Sequence, residues 1–283
     1  MRLLLAAALV LLTAPVQAAR VDTLDVPSAA MGRSMKVVVA TPEAAGRFPT
    51  VFLLHGASGD YRNWPQQLDA RGAGFGRLAD RFGLVLVAPD GGGDSWYLDS
   101  PRVPASQVAT FVAEELPAWI DAHLPTLPER RFRAIAGLSM GGHGALYLAL
   151  THPATFGAAS SLSGGVDLTV FPERWSKVRH LGPYAQDTLA WQARSVLHLV
   201  RQRRAPGAAT SGQDVDLSAW PALLVDCGTA DFFLDANRRL HAELTARALP
   251  HDYVERPGGH AWAYWTRALP FHLAFFREAF DRA

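Results

Sequence analysis

The chain has 283 residues, of which 49% are hydrophobic and 19% charged. That composition excludes a disordered chain and leaves room for one large domain with a well-buried core. Lys and Arg number 27 against 26 Asp and Glu, so the charge balance excludes a strong electrostatic case for nucleic acid or an anionic membrane surface.

Residues 1–18 read as a signal peptide. Arg2 supplies the positive start and Leu3 to Leu12 an apolar stretch too short to span a bilayer as a helix. Pro15 breaks it, and Val16-Gln17-Ala18 offers a small-x-small cleavage site before Ala19. The mature protein, residues 19–283, is therefore expected in the periplasm or outside the cell. No other stretch is apolar enough for a stable membrane anchor. Cys227 is the only cysteine, so no intramolecular disulfide forms; it follows an apolar run and reads as a small buried hydrophobe.

Met35 to Thr41 and Thr50 to Leu54 are dense in β-branched residues and predict strands. The second ends in the glycine-rich loop His55-Gly56-Ala57-Ser58-Gly59. A helix is predicted over Phe75 to Phe82, then a strand over Leu84 to Ala88 before Pro89-Asp90-Gly91-Gly92-Gly93. Ser106 to His123 carries apolar residues at helical spacing, with a kink expected at Pro117. A strand from Phe132 to Ala136 precedes Gly137-Leu138-Ser139-Met140-Gly141, and a small-residue helix follows.

Gly157 to Leu162 predicts another strand. Residues 166–218 read as a cap insertion that would supply the pocket walls, largely helical over Val166 to Arg204 and of loop composition over Ala205 to Ser218. Within it, Trp175 and Trp191 would either admit an aromatic acyl group or close a small pocket. Pro221 to Asp226 predicts a strand, Phe232 to Leu249 a helix, His251 to Glu255 a short strand, and Ala261 to Phe280 the last helix. Strands alternating with helices imply an α/β fold with a mostly parallel, doubly wound sheet. Ligands then sit beyond the carboxyl ends of the strands, where the loops carrying His55, Asp90, Ser139, Asp231 and His260 should gather.

Gly-x-Ser-x-Gly between a strand and a helix is the setting of a nucleophile elbow, in which a sharp turn projects the serine hydroxyl. The competing role for Ser139 is that of a helix cap. A serine nucleophile needs a base. Among ten histidines, His260 follows the last strand in a glycine loop, with His251 as its rival. His143 would point into helix packing, and the remaining helical histidines read as packing or surface residues. The base needs an acid to orient it. Asp231 lies between nucleophile and base in chain order, with Asp226, Asp235 and Asp167 as rivals and helix capping as its other role. The oxyanion of an acyl-transfer intermediate needs two backbone amides. Met140 is the first choice; Ala57 is the second, with Gly56 as rival. The His55 side chain reads more as a brace of its loop than as a proton shuttle. No His/Cys/carboxylate cluster implies a metal, and no cofactor is expected.

Four blocks resemble the putative-esterase family of α/β-hydrolases, which includes esterase D, tributyrin, feruloyl and acetylxylan esterases, and mycolyltransferases. They are Leu53 to Gly56, Pro89 to Tyr97, Gly137 to Leu146, and Asp226 to Asp231 with Pro257 to His260. The resemblance implies an α/β-hydrolase fold, a triad of Ser139, Asp231 and His260, and oxyanion amides at Met140 and after His55-Gly56. It also implies a substrate pocket near Trp96 and Tyr97, so His55, Trp96 and Tyr97 are candidate substrate contacts; ordinary packing is the competing role for the two aromatics. The expected activity is hydrolysis of a small-molecule or carbohydrate ester. Acyl transfer to a sugar or lipid alcohol is the rival within enzymes, and a non-catalytic binding protein the rival outside them.

Overall fold

The computed structural model describes residues 18–282, so the expected signal segment lies almost wholly outside the described residues. An eight-stranded sheet runs through the domain. Its strands are β1 (Arg20–Ser28), β2 (Arg33–Thr41), β3 (Thr50–Leu54), β4 (Val85–Pro89), β5 (Arg133–Leu138), β6 (Ala158–Leu162), β7 (Ala222–Gly228) and β8 (Asp252–Arg256). Their order is β1-β2-β4-β3-β5-β6-β7-β8. β1 pairs antiparallel with β2 and β2 antiparallel with β4; every later pairing is parallel.

Alternate residues of the inner strands feed two cores, as a sheet covered on both faces requires. Val37, Val39, Phe52, Leu54, Val85, Val87 and Ile135 pack toward helix α4 (Met140–Thr151) and the insertion after β6. Val38, Ala40, Val51, Leu53, Leu86, Ala134 and Ala136 pack toward α1 (Asn63–Ala70), α2 (Phe75–Phe82) and α6 (Trp262–Asp281). Every residue of β3, β4 and β5 is buried between the two cores, which accounts for their uninterrupted apolar runs.

Three local features differ from expectation. β1 and α1 were not anticipated. The predicted helix 106–123 starts later, and Pro117 is not at a simple kink. Phe111–Glu115 forms a π-helical turn, and Pro117 then sits in the first turn of α3 (Leu116–His123). The wider turn makes room for a ring that cannot donate to the preceding carbonyls. Residues 166–218 form short helices at Lys177–Leu181, Thr188–Ala193 and Val196–Arg201, joined by loops.

The chain moves from β3 outward to β4, then crosses back to β5 on the other side of β3. That reversal is where an open α/β sheet leaves a crevice at its carboxyl edge. The loops after β3 and β5 flank it. Helix α5 (Leu234–Ala246) links β7 to β8.

Candidate active site

Ser139 follows β5 directly and has φ 55°, ψ −116°. A non-glycine residue there is strained, and the surroundings hold it. The Ser139 amide donates to Leu162 O (3.0 Å), and its carbonyl accepts from His143 N and Gly165 N (3.1 Å each). The motif glycines are steric requirements. A Cβ on Gly137 would lie 2.2 Å from Gly141 O, and one on Gly141 2.5 Å from Leu54 O. The Ser139 side chain makes no capping bond to α4, so the helix-cap alternative falls. Its Oγ instead lies 2.9 Å from His260 Nε2.

His260 Nδ1 lies 2.8 Å from Asp231 Oδ2 and 3.0 Å from Oδ1. A carboxylate only accepts, so Nδ1 carries the proton and Nε2 is free to accept from the serine hydroxyl. The helix-capping role weighed for Asp231 falls, since Phe233 is the N-cap of the next helix and no side chain caps it; the Asp231 Oδ1 instead accepts from Phe233 N at 2.9 Å, which fixes the turn before that helix. Its side chain is fully buried, whereas that of His260 is 15% exposed.

The rivals are accounted for elsewhere. His251 bonds His241 at 2.8 Å and borders a separate cavity of about 500 Å³ near the amino ends of β6 and β7, away from Ser139. Asp226 joins a buried cluster with Arg256, Tyr264 and His272. Asp167 accepts from Thr169 and Arg239, and Asp235 occupies the first turn of α5. Cys227 is buried, and burial pushes its thiol up to about 12, which suits a packing residue.

A cavity of about 630 Å³ opens over Ser139 and His260. Gly56, Ala57 and Ser58 form one side and Leu138 its floor. A Cβ on Gly56 would lie 2.7 Å from the Leu138 side chain and 3.4 Å from Ser139 Cβ, so the backbone before Ala57 passes directly beside the serine. Met140 opens helix α4 next to it. Trp175, Phe232, Trp262 and Trp265 supply an aromatic wall, and Asn63 and Arg71 reach in from α1 and its end.

The expected substrate contacts need correction. His55, Trp96 and Tyr97 are 1%, 2% and 0% exposed, and none lines this cavity. His55 Nδ1 donates to Gly56 O (2.8 Å), while Nε2 accepts from Gly91 N (2.9 Å), which ties the loop after β3 to the loop after β4. Burial holds its pKa below the ordinary histidine value, matching a neutral brace. Tyr97 Oη donates to His55 O at 3.1 Å, and burial raises its phenol pKa. Trp96 Nε1 donates to Trp175 O at 3.1 Å. His143 is also a brace: its ring lies between Trp96 O (3.1 Å from Nδ1) and Arg194 O (2.9 Å from Nε2), and the neutral imidazole donates to one of these two carbonyls.

The insertion also departs from expectation, since Trp175 alone among residues 166–218 borders the cavity. Trp191 is wholly buried behind it. Phe232, Trp262 and Trp265 were not among the expected contacts, although Phe232 directly follows Asp231 and Trp262 lies two residues after His260. Asn63 and Arg71 gave no signal, because α1 was not anticipated.

A strained serine on a strand-to-helix turn, hydrogen-bonded through histidine to a buried aspartate at the carboxyl edge of a parallel sheet, defines an α/β-hydrolase of the serine-hydrolase type. A family profile described as "Putative esterase" matches residues 28–276. The chain is 29% identical over 228 residues to S-formylglutathione hydrolase of Mus musculus, covering 73% of each protein. It is 38% identical over 156 residues to diacylglycerol acyltransferase/mycolyltransferase Ag85B of Mycobacterium leprae, covering 52% of this chain and 45% of that one. Fluorophosphonate-binding serine hydrolase F of Staphylococcus aureus shares the fold, with TM-score 0.76 at 22% identity over 92% of this chain and 98% of that one. The chain belongs to the putative esterase family.

Proposed function

We propose that this protein is a serine esterase that cleaves carboxylic esters through an acyl-enzyme, with Ser139, His260 and Asp231 as its triad. One observation carries the reading: Ser139 Oγ is 2.9 Å from His260 Nε2 while His260 Nδ1 is 2.8 Å from Asp231 Oδ2. Ser139 Oγ attacks the acyl carbon as His260 Nε2 takes its proton. Asp231 stabilises the imidazolium. The amides of Met140 and Ala57 receive the oxyanion, because the Gly56–Ala57 backbone and the start of α4 converge beside the serine. The alcohol leaves with the proton from His260. Water then enters, loses a proton to His260, and releases the acid. His55, Trp96 and Tyr97 act beneath this layer by fixing the loops that carry it.

Ser139→Ala is expected to lower kcat on a nitrophenyl acetate by several orders of magnitude and to abolish labelling by a fluorophosphonate, with an unchanged unfolding midpoint. Comparable hydrolysis by the variant would remove Ser139 from this role. A non-catalytic binding protein would fail to label in its native form.

Acyl transfer is the second reading, supported by the likeness to Ag85B over half of this chain. Incubation with an activated ester and sugar or glyceride alcohols distinguishes the two by product, a new ester against the free acid. Export belongs to the same proposal and rests on Arg2 and the apolar run after it; cell fractionation with detection of the processed chain tests it.

A further inference from the structure

The insertion after β6 holds a buried amine that this reaction does not use. Lys177 is 1% exposed. Its Nζ donates to Leu168 O (2.8 Å) and Val170 O (2.7 Å). It also lies 5.1 Å from the ring centroid of Trp96, 5.7 Å from that of Trp191 and 5.8 Å from that of Trp175. Asp167 acts on it through space but is itself paired with Arg239. An ammonium removed from water is costly unless its donors and its charge are both met. Two carbonyls and three aromatic rings face the amine here and offset part of that cost, in place of a carboxylate.

The amine closes residues 168–177 into a loop. Within that loop Phe171, Trp175 and Ser176 have φ of 52°, 56° and 57°, left-handed values that side chains avoid unless something holds them. The loop presents Trp175 to the cavity over Ser139. Trp175 stacks on Phe232 with centroids 5.8 Å apart and planes 16° apart. The Phe232 ring is in turn 4.2 Å from that of His260. A path of direct contacts therefore runs from the buried amine to the aromatic wall and on to the base.

We propose that Lys177 is a positioning residue that sets the Trp175–Phe232 wall, and through it the preference for esters with a bulky aromatic acyl arm over acetyl esters. This rests on the serine-esterase reading. The wall offers flat apolar surface to a large arm, and an acetyl group makes little use of it. Loosening the loop should weaken binding of the large arm while leaving the chemical step for that same ester much less affected.

The experiment compares nitrophenyl acetate and nitrophenyl benzoate on four proteins: wild type, Lys177→Met, Trp175→Leu and the double variant. In Lys177→Met the benzoate-to-acetate ratio of kcat/KM is expected to fall about tenfold, carried by KM for the benzoate. Trp175→Leu should lower the same ratio, and the double variant should fall no further than Trp175→Leu alone, because both act through one wall. Equal losses on the two esters, or losses that multiply in the double variant, overturn the proposal. If Lys177→Met does not fold, Lys177→Gln replaces it, with a shift in the same direction expected. An unchanged ratio in the variant that folds is likewise fatal. Failure of the esterase reading shows separately, as hydrolysis of both esters that survives Ser139→Ala.

Discussion

Single positions in this protein are fixed more by backbone geometry than by side-chain chemistry. Gly141 shows this best. A Cβ there would meet Leu54 O at 2.5 Å and His55 O at 2.6 Å, both main-chain atoms at the end of β3. Neither atom can retreat without displacing Gly56 and Ala57, which border the cavity. Gly141→Ala should therefore cost about 3 kcal/mol of stability and lower activity as well, since it pushes the loop after β3 away from Ser139. Urea unfolding with a parallel ester assay checks both; a wild-type midpoint would show that the turn tolerates the methyl group. Such glycines are legible in sequence because their spacing around Ser139 reflects a turn. The hydrogen-bonded trio was legible for a related reason: each member follows a strand, and parallel strands deliver their following loops to one edge. His55 satisfied the same rule and was given a possible substrate contact. Sequence places a residue at the rim, but not above or below it. The Gly91 amide and the Gly56 carbonyl decide that for His55.

Between elements, the base and its acid are delivered by three pieces of chain that a buried carboxylate joins. Asp226 on β7 contacts Arg256 at the end of β8 and Tyr264 on α6, and lies 3.2 Å from His272 Nε2, also on α6. Burial holds His272 near a pKa of about 3, so it is neutral. Its Nε2–H donates to Asp226, and Nδ1 at 2.8 Å accepts from Ser160 Oγ. Serine, histidine and aspartate thus form a second chain of hydrogen bonds with every member fully buried. No substrate reaches it, so it serves as a strut. β7 leads to Asp231, and the loop from β8 to α6 carries His260. Asp226→Asn leaves Arg256 without its charge partner and is expected to destabilise by about 3 kcal/mol. Tyr264→Phe, which removes one hydrogen bond, should cost about 1 kcal/mol. kcat should fall further in the first variant than in the second, following the order of disturbance at His260. Chemical denaturation and ester kinetics measure both, and equal stability of the two variants would contradict this ranking. Elements with one strong period were legible, notably β3 to β5. β1 was missed because it is mostly exposed at the sheet edge and its run is broken by Asp22, Asp25 and Pro27. α1 was missed because Pro65 and a polar composition hide its buried Trp64 and Leu68.

For the molecule as a whole, the buried titratable groups set a pH limit on folding. His143 and His272 are fully buried, and burial lowers them from 6.5 to about 4 and about 3. Below pH 6.5 the unfolded chain binds a proton at each site while the native protein binds none, so stability falls as pH falls. The loss continues down to about pH 4 for His143 and about pH 3 for His272, where the native protein would also titrate. Lys177 follows the same sign in a higher window. Burial lowers it from 10.5 to about 7, so stability falls as pH drops from 10.5 to 7 and this contribution is level below that. Each histidine contributes a slope of about 1.4 kcal/mol per pH interval, so the pair should cost about 3 kcal/mol between roughly pH 6.5 and pH 5. Both histidines brace the site: neutral His143 lies between the Trp96 and Arg194 carbonyls and donates to one of them, and His272 holds Asp226 beneath the loop of the base. Loss of fold and loss of activity should therefore coincide on acidification. Urea midpoints at several pH values, read beside residual activity after return to neutral pH, test this. His143→Gln removes one titrating group and should make the acidic slope shallower by about 1.4 kcal/mol per pH unit. A midpoint that stays flat from pH 6.5 to pH 5 would mean that these imidazoles accept protons in the native state and that the interior around them admits water.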